Sequence, residues 1–195
     1  MPELIAVMRQ FNPWWTGGRI QDLPPWRRAA FREIAAWISD PPAGRALLLT
    51  GARQVGKTTL FLQAIEDLLG KGVEPTNILY VTFDHPLLKL LGLDGLVQLW
   101  RELEPSRESP EYLFLDEIHV AKDWQTWLKH QVDFGNRRRI AVTGSATPLV
   151  TEGQESGVGR WHTIRLATLS FYEYLQLRRL PAPVLPAVDS LQRLF

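Results

Sequence analysis

The chain has no cysteine among its 195 residues, which excludes disulfides, thiolate zinc sites and cysteine nucleophiles and is compatible with a reducing compartment. The four histidines, His85, His119, His130 and His162, show no paired metal-ligating spacing. No stretch of eighteen apolar residues occurs, and the opening Pro2-Glu3-Leu4-Ile5-Ala6-Val7-Met8 lacks the basic start and long apolar core of an export signal. The expectation is a soluble, cytoplasmic protein without a membrane partner. Charge of neither sign dominates, since 22 Lys+Arg face 21 Asp+Glu for a net +1, so no global field points to nucleic acid. Arg137-Arg138-Arg139 accordingly reads as a solvated turn. No internal repeat is visible, and the length suffices for one sizeable domain without a second large one.

What is present begins with Gly51-Ala52-Arg53-Gln54-Val55-Gly56-Lys57-Thr58, which satisfies G-x-x-x-x-G-K-[ST]. Its setting is the required one. Ala46 to Thr50 reads as a buried strand, and Thr59 to Leu69 as an amphipathic helix with Gly70 as its stop. A loop with few bulky side chains can turn its backbone N–H groups around phosphate oxygens, and the helix adds its positive end. Lys57 supplies a mobile charge for the β- and γ-phosphates, and the Thr58 hydroxyl is placed to ligate Mg²⁺.

Apolar strands alternating with amphipathic helices follow: strands at Ile78–Phe83, Tyr112–Leu115, Arg139–Thr143 and Thr163–Leu166, and helices near Leu96–Leu103 and Asp123–Phe134. This alternation predicts an α/β fold, a mainly parallel five-stranded sheet with helices on both faces. Before the first strand, Met1 to Leu23 reads as irregular. A helix is expected from Pro25 to Ser39, with Trp26, Ala30, Ile34, Trp37 and Ile38 on one face and Arg27, Arg28 and Arg32 on or near the other. Ser170-Phe171-Tyr172-Glu173 has the form of a capping box opening a last helix to about Arg179. The expected division is a segment and helix over 1–44, the main domain over 45–179, and a linker or the start of something further over 180–195.

The strand Tyr112–Leu115 delivers Asp116-Glu117 at its carboxyl end, where open parallel sheets place their ligands. Asp116 is suited to hold Mg²⁺ and Glu117 to orient and deprotonate an attacking water. The next strand end carries Thr143-Gly144-Ser145-Ala146-Thr147, of which Ser145 or Thr143 could sense a γ-phosphate. Arg160, on the glycine-flanked run Glu155 to Arg160, offers a fixed planar charge suited to phosphoryl transfer. Trp14 and Trp15 either stack on an adenine or pack against the sheet edge, whereas Trp124 and Trp127 read as core.

Taken together, Asn12-Pro13-Trp14-Trp15, Arg53 to Thr59, Tyr112 to Ile118, Thr143-Gly144-Ser145, Glu155-Ser156-x-x-Gly159-Arg160 and Leu169-Ser170-Phe171-x-Glu173 resemble the prokaryotic AAA-type ATP-binding proteins that pair an N-terminal ATPase domain with an uncharacterised C-terminal domain. The resemblance covers about Phe11 to Leu175. It implies an α/β P-loop fold of the AAA/RecA-like kind, ATP and Mg²⁺ as cofactors, and ATP hydrolysis. Gly51, Ala52, Arg53, Gln54, Val55, Gly56, Lys57, Thr58 and Thr59 would grip the nucleotide as the Walker A element. Asp116 and Glu117 would be Walker B, Ser145 the sensor, and Arg160 an arginine finger reaching a neighbour in a homo-oligomer. Two other readings stand beside it. One is a nucleotide-binding switch without turnover. The other is one motor domain of a DExH helicase, from Asp116-Glu117-Ile118-His119 and Ser145-Ala146-Thr147. Against the helicase stand Gln54, where such loops usually carry glycine, and the lack of room for a second motor domain. The client, protein or nucleic acid, is not named by any motif.

Overall fold

A computed structural model describes residues 2–41, 44–105, 110–135, 138–145 and 159–181. Five strands form one parallel sheet: β1 (Ala46–Gly51), β2 (Ile78–Thr82), β3 (Glu111–Asp116), β4 (Arg138–Ser145) and β5 (Trp161–Leu166), in the order β2-β3-β4-β1-β5. Every residue of β1 and β3 is buried. Because successive side chains point to opposite faces, such strands must be covered on both sides, as their continuous Leu-rich runs require. The expected α/β architecture is therefore the observed one.

Among the described residues six α-helices accompany the sheet: α1 (Pro2–Phe11), α2 (Phe31–Ser39), α3 (Lys57–Gly70), α4 (Pro86–Leu103), α5 (Trp124–Phe134) and α6 (Phe171–Leu177). Helix α3 starts in the glycine loop and seats Phe61 edge-on against Phe114 of β3, ring centroids 5.2 Å apart. The capping box forms as expected, with the Ser170 hydroxyl accepting from the Glu173 N–H and the Glu173 carboxylate accepting from the Ser170 N–H.

Four expectations need correction. Of Arg137-Arg138-Arg139, read as a solvated turn, Arg138 and Arg139 open β4, half-buried, with Arg138 paired to Glu111. The first segment is not irregular: Pro2–Phe11 is helical, with Met8 buried and Leu4, Ile5 and Phe11 packed on the core at helical spacing. The helix expected from Pro25 begins only at Phe31. Residues before it are held by side chains from elsewhere, since Gln63 Nε2 donates to both Pro24 O and Trp26 O at 2.8 Å, withdrawing those carbonyls from any helical ladder. Helix α4 begins ten residues earlier than expected, at Pro86, and is broken by Gly92 at φ 72°, ψ 171°. A proline closing one element opens the next, because its fixed φ suits the first helical turn.

The edge strand β2 is covered by polar groups from the N-terminal segment. Asn12 donates to Tyr80 O (2.9 Å) and accepts from the Tyr80 N–H (2.7 Å), imitating a neighbouring strand's backbone. Both indole N–H groups of Trp14 and Trp15 donate to Ile78 O. Of the two roles open to these tryptophans, the structure shows sheet-edge packing. Trp124 and Trp127 are core, as read from their spacing, with the Trp127 indole donating to Asp94. No helix among the described residues is long and apolar enough to cross a membrane.

Candidate functional site

Parallel strands align their carboxyl ends, so the β1 loop, the end of β3 and the end of β4 meet on one edge of the sheet. The register places Gly51 between Ser145 and Leu166, and Asp116 beside Thr82. At Gly51 a Cβ would lie 2.5 Å from Leu166 O, a backbone atom that cannot give way, so only glycine fits. Gln54 and Gly56 turn the loop through left-handed backbone at φ 63° and 94°. Ala52, Arg53 and Gln54 are exposed on its rim, while Val55, Gly56 and Thr59 are half-buried.

Lys57 is buried at 4 % exposure, and its ammonium donates to Gly51 O (3.1 Å) and Ala52 O (2.9 Å), folding back over the loop. It also lies 3.7 Å from Glu117 Oε1. Thr58 donates to Asp116 Oδ2 at 2.6 Å, linking two motifs separated by 58 positions. Asp116 is 2 % exposed, and a buried carboxylate needs hydrogen-bond donors to persist there. It has them: besides Thr58, the Tyr80 hydroxyl donates to Oδ2 at 3.1 Å, and the Thr143 hydroxyl donates to Oδ1. Burial first, then the Asp116 charge, pushes the Tyr80 phenol far above its ordinary range, so it remains a donor.

Thr143 does a second thing. Its oxygen accepts the Glu117 N–H at 3.1 Å, anchoring a residue whose backbone sits in left-handed space at φ 52°. Strained backbone of this kind persists only where neighbours enforce it. The Glu117 carboxylate stands between Lys57 and His119, whose Nδ1 is 3.3 Å from Oε2. Of the two hydroxyls proposed from sequence, Thr143 touches the acidic pair. Ser145 lies two residues on, half-buried, opposite Gly51.

Arg160 is placed elsewhere. Its carbonyl accepts from the Ala46 N–H at the foot of β1, so it stands at the amino end of the strands, about 20 Å of strand from Leu166. Exposed there, it is paired with Asp133 of α5 (2.8 and 3.1 Å) and holds that carboxyl below its usual range. Within its own chain it does not approach the phosphate loop. Ala146, Thr147 and Glu155 to Val158 lie outside the described residues.

Beside the loop opens a cleft of about 640 Å³, lined by Arg53 to Gly56 and Thr59 on one side and by Trp26, Leu169 and Leu177 on the other. Trp26, expected on the core face of a helix, is a wall of this cleft. Sequence reasoning also missed Tyr80 and Arg28. Tyr80 carried one signal, a hydroxyl between the aliphatic Leu79 and Val81. Arg28, expected with Arg27 and Arg32 on a polar helix face, is buried instead and bonded to Glu173. That pairing, with the Ser170 and Ala29 N–H groups, overcomes burial and holds the Glu173 carboxyl down at about 2.

For a divalent cation the available donors are the Thr58 hydroxyl and the Asp116 carboxylate, hard oxygen ligands of the kind Mg²⁺ takes. No group of three or more acidic, His or Cys residues that could hold a metal occurs among the described residues. The Thr58 and Asp116 oxygens fit Mg²⁺, which commonly binds through one or two protein oxygens and the substrate's phosphates.

A glycine loop running from a parallel strand into a helix, with an acidic strand end beside it, defines the P-loop nucleotide-binding class of α/β domains. Within that class, residues 43–175 match the family model described as AAA domain, and the chain belongs to that family. An uncharacterized protein of Haemophilus influenzae is 30% identical over 153 residues, which cover 75% of this chain and 35% of that protein. The chain thus spans about a third of the length of that relative.

Proposed function

We propose that the chain binds ATP with Mg²⁺ and hydrolyses it. The observation that carries this reading is the closure of two distant motifs on one another through the 2.6 Å bond between Thr58 and Asp116, with Lys57 and Glu117 flanking it. The apolar wall of Trp26, Leu169 and Leu177 gives the base a place to lie beside the loop. Lys57 now donates to its own loop's carbonyls, and it would exchange these for the β- and γ-phosphates. Bound Mg²⁺ would neutralise phosphate charge, with Thr58 and Asp116 as its protein oxygens. Glu117 is the general base, aligned by the Thr143 bond to its N–H, and Ser145 is the sensor of the γ-phosphate. Arg160 is proposed as the arginine that completes a neighbouring copy's site, its exposure at the far end of the sheet supporting action between subunits.

A second reading is a nucleotide switch without efficient turnover. One observation favours it: the Glu117 carboxylate lies 3.7 Å from the buried Lys57 ammonium and must leave it to act as a base. Magnesium-dependent ATP turnover, measured across protein concentrations, tests the proposal. Turnover that Glu117→Gln suppresses while ATP binding persists is the expected result. Binding by a parent that never turns over supports the switch, and a folded parent that binds no ATP contradicts both.

A further inference from the structure

All five N–H bonds of the Arg28 guanidinium are used, and they join four segments of the chain. Nε and Nη2 hold the Glu173 carboxylate at 3.1 and 2.8 Å, the bidentate geometry in which arginine is strongest. Nη1 and Nη2 reach Ala167 O (2.8 Å) and Thr168 O (3.0 Å) after β5. The remaining donor is spent on the phosphate loop itself, on Val55 O at 3.0 Å. Arg28 is only 9 % exposed, so this bond faces little competition from water.

The consequence follows from peptide planarity. In a trans peptide the C=O and the next residue's N–H point in opposite directions. Holding Val55 O outward on Arg28 therefore turns the Gly56 N–H the other way, away from Arg28. The flanking backbone makes this orientation worth fixing, because Gln54 and Gly56 both occupy left-handed space, and glycine allows the peptide between Val55 and Gly56 to flip at little steric cost.

We infer that Arg28 is a positioning residue for the phosphate loop: braced by Glu173, it fixes the Val55–Gly56 peptide so that the Gly56 N–H is presented to phosphate. This rests on the reading of the loop as a nucleotide site. Arg28 touches no reacting atom. Its effect is on how tightly the loop grips a polyphosphate.

The test is ADP binding by calorimetry to the parent, to Arg28→Lys and to Glu173→Gln, each shown folded by circular dichroism. Lysine keeps the charge but concentrates its donors on one nitrogen and cannot serve acceptors on three segments. Loss of one charge-assisted amide–phosphate bond predicts ADP binding weaker by about 10-fold to 100-fold in Arg28→Lys. Glu173→Gln, which keeps the side chain's shape, should show a smaller loss in the same direction and guards against a lysine variant that fails to fold. The discriminating readout is the Gly56 amide signal in glycine-¹⁵N-labelled protein. In the parent, ADP should move it strongly downfield, as a charge-assisted bond deshields the proton, and in the variants that movement should shrink. Parental ADP affinity and an unaltered Gly56 movement in either folded variant overturn the inference while leaving the nucleotide reading intact. A parent that binds no ADP overturns both.

Discussion

Two ion pairs at opposite ends of the sheet differ in character. At the carboxyl end the side chains of Lys57 and Glu117 are 3 % and 18 % exposed, beside an Asp116 held by three hydroxyls. At the amino end Arg160 and Asp133 meet at 39 % and 36 % exposure. A buried, multiply bonded group loses its partners' satisfaction when one member is removed, whereas an exposed pair is replaced by water at little cost. The Lys57, Glu117 and Asp116 group is held in a fixed geometry by its neighbours, and the Arg160 pair is not.

The largest expected effect is at Glu117. Glu117→Gln should lower ATP turnover by about 100-fold or more while sparing ATP affinity, since removal of a general base typically costs two to four powers of ten. Comparing steady-state rates with nucleotide titrations checks it, and equal turnover in the two proteins would remove Glu117 from the mechanism. Asp116→Asn keeps an acceptor but loses the charge that suits a divalent cation. Its ATP turnover should need a clearly higher Mg²⁺ concentration for half-saturation, read from a magnesium titration at fixed ATP.

Acid stability sharpens the contrast from another side. The Glu173 carboxyl is held at about 2 against an ordinary 4.5, mainly by Arg28. A depressed carboxylate stabilises the fold above its unfolded value and loses that contribution as pH falls toward its folded one. The expected contribution, at most about 3 kcal/mol, should therefore vanish between about pH 4.5 and pH 2. Glu173→Gln should flatten the fall in denaturant stability over that interval, and an unchanged slope would show the pair to be uncoupled from folding.

Tyr80→Phe removes one of three donors to Asp116 and should cost about 1 kcal/mol of stability, with a modest rise in the Mg²⁺ requirement. The smallest effect on the isolated chain belongs to Arg160→Ala, whose exposed pair should contribute less than about 1 kcal/mol to unfolding free energy. Its effect should appear only between copies. Turnover per chain should rise with protein concentration in the parent and stay flat in Arg160→Ala, and a parent whose specific activity is independent of concentration would end the between-subunit reading.

The loop and the acidic pair were legible because their chemistry demands particular residues next to one another in sequence, and the sheet because its strands are continuous apolar runs. Contiguity is what a sequence displays. Arg28 was illegible for the opposite reason: its acceptors are Val55, Ala167, Thr168 and Glu173, brought together only by the finished fold. The late start of α2 has the same origin, as Gln63 reaches across to claim carbonyls that a local pattern would assign to a helix. The place of Arg160 was open to reasoning, since a residue preceding a parallel strand stands at the end opposite the ligand. Helix α1 did carry local signals, Pro2 and Glu3 in its first turn and Arg9 in its last, and Met8 and its neighbours pack it on the core.

The proposed function requires that the loop from Gly51 to Thr58 grip nucleotide phosphates with Lys57 as its cation. Calorimetric titration of ATP with Mg²⁺ into the parent and into folded Lys57→Ala tests it most directly. Saturable binding by the parent is expected, with its loss, or weakening by about 100-fold or more, in the variant. Equal affinity in the two proteins would contradict it.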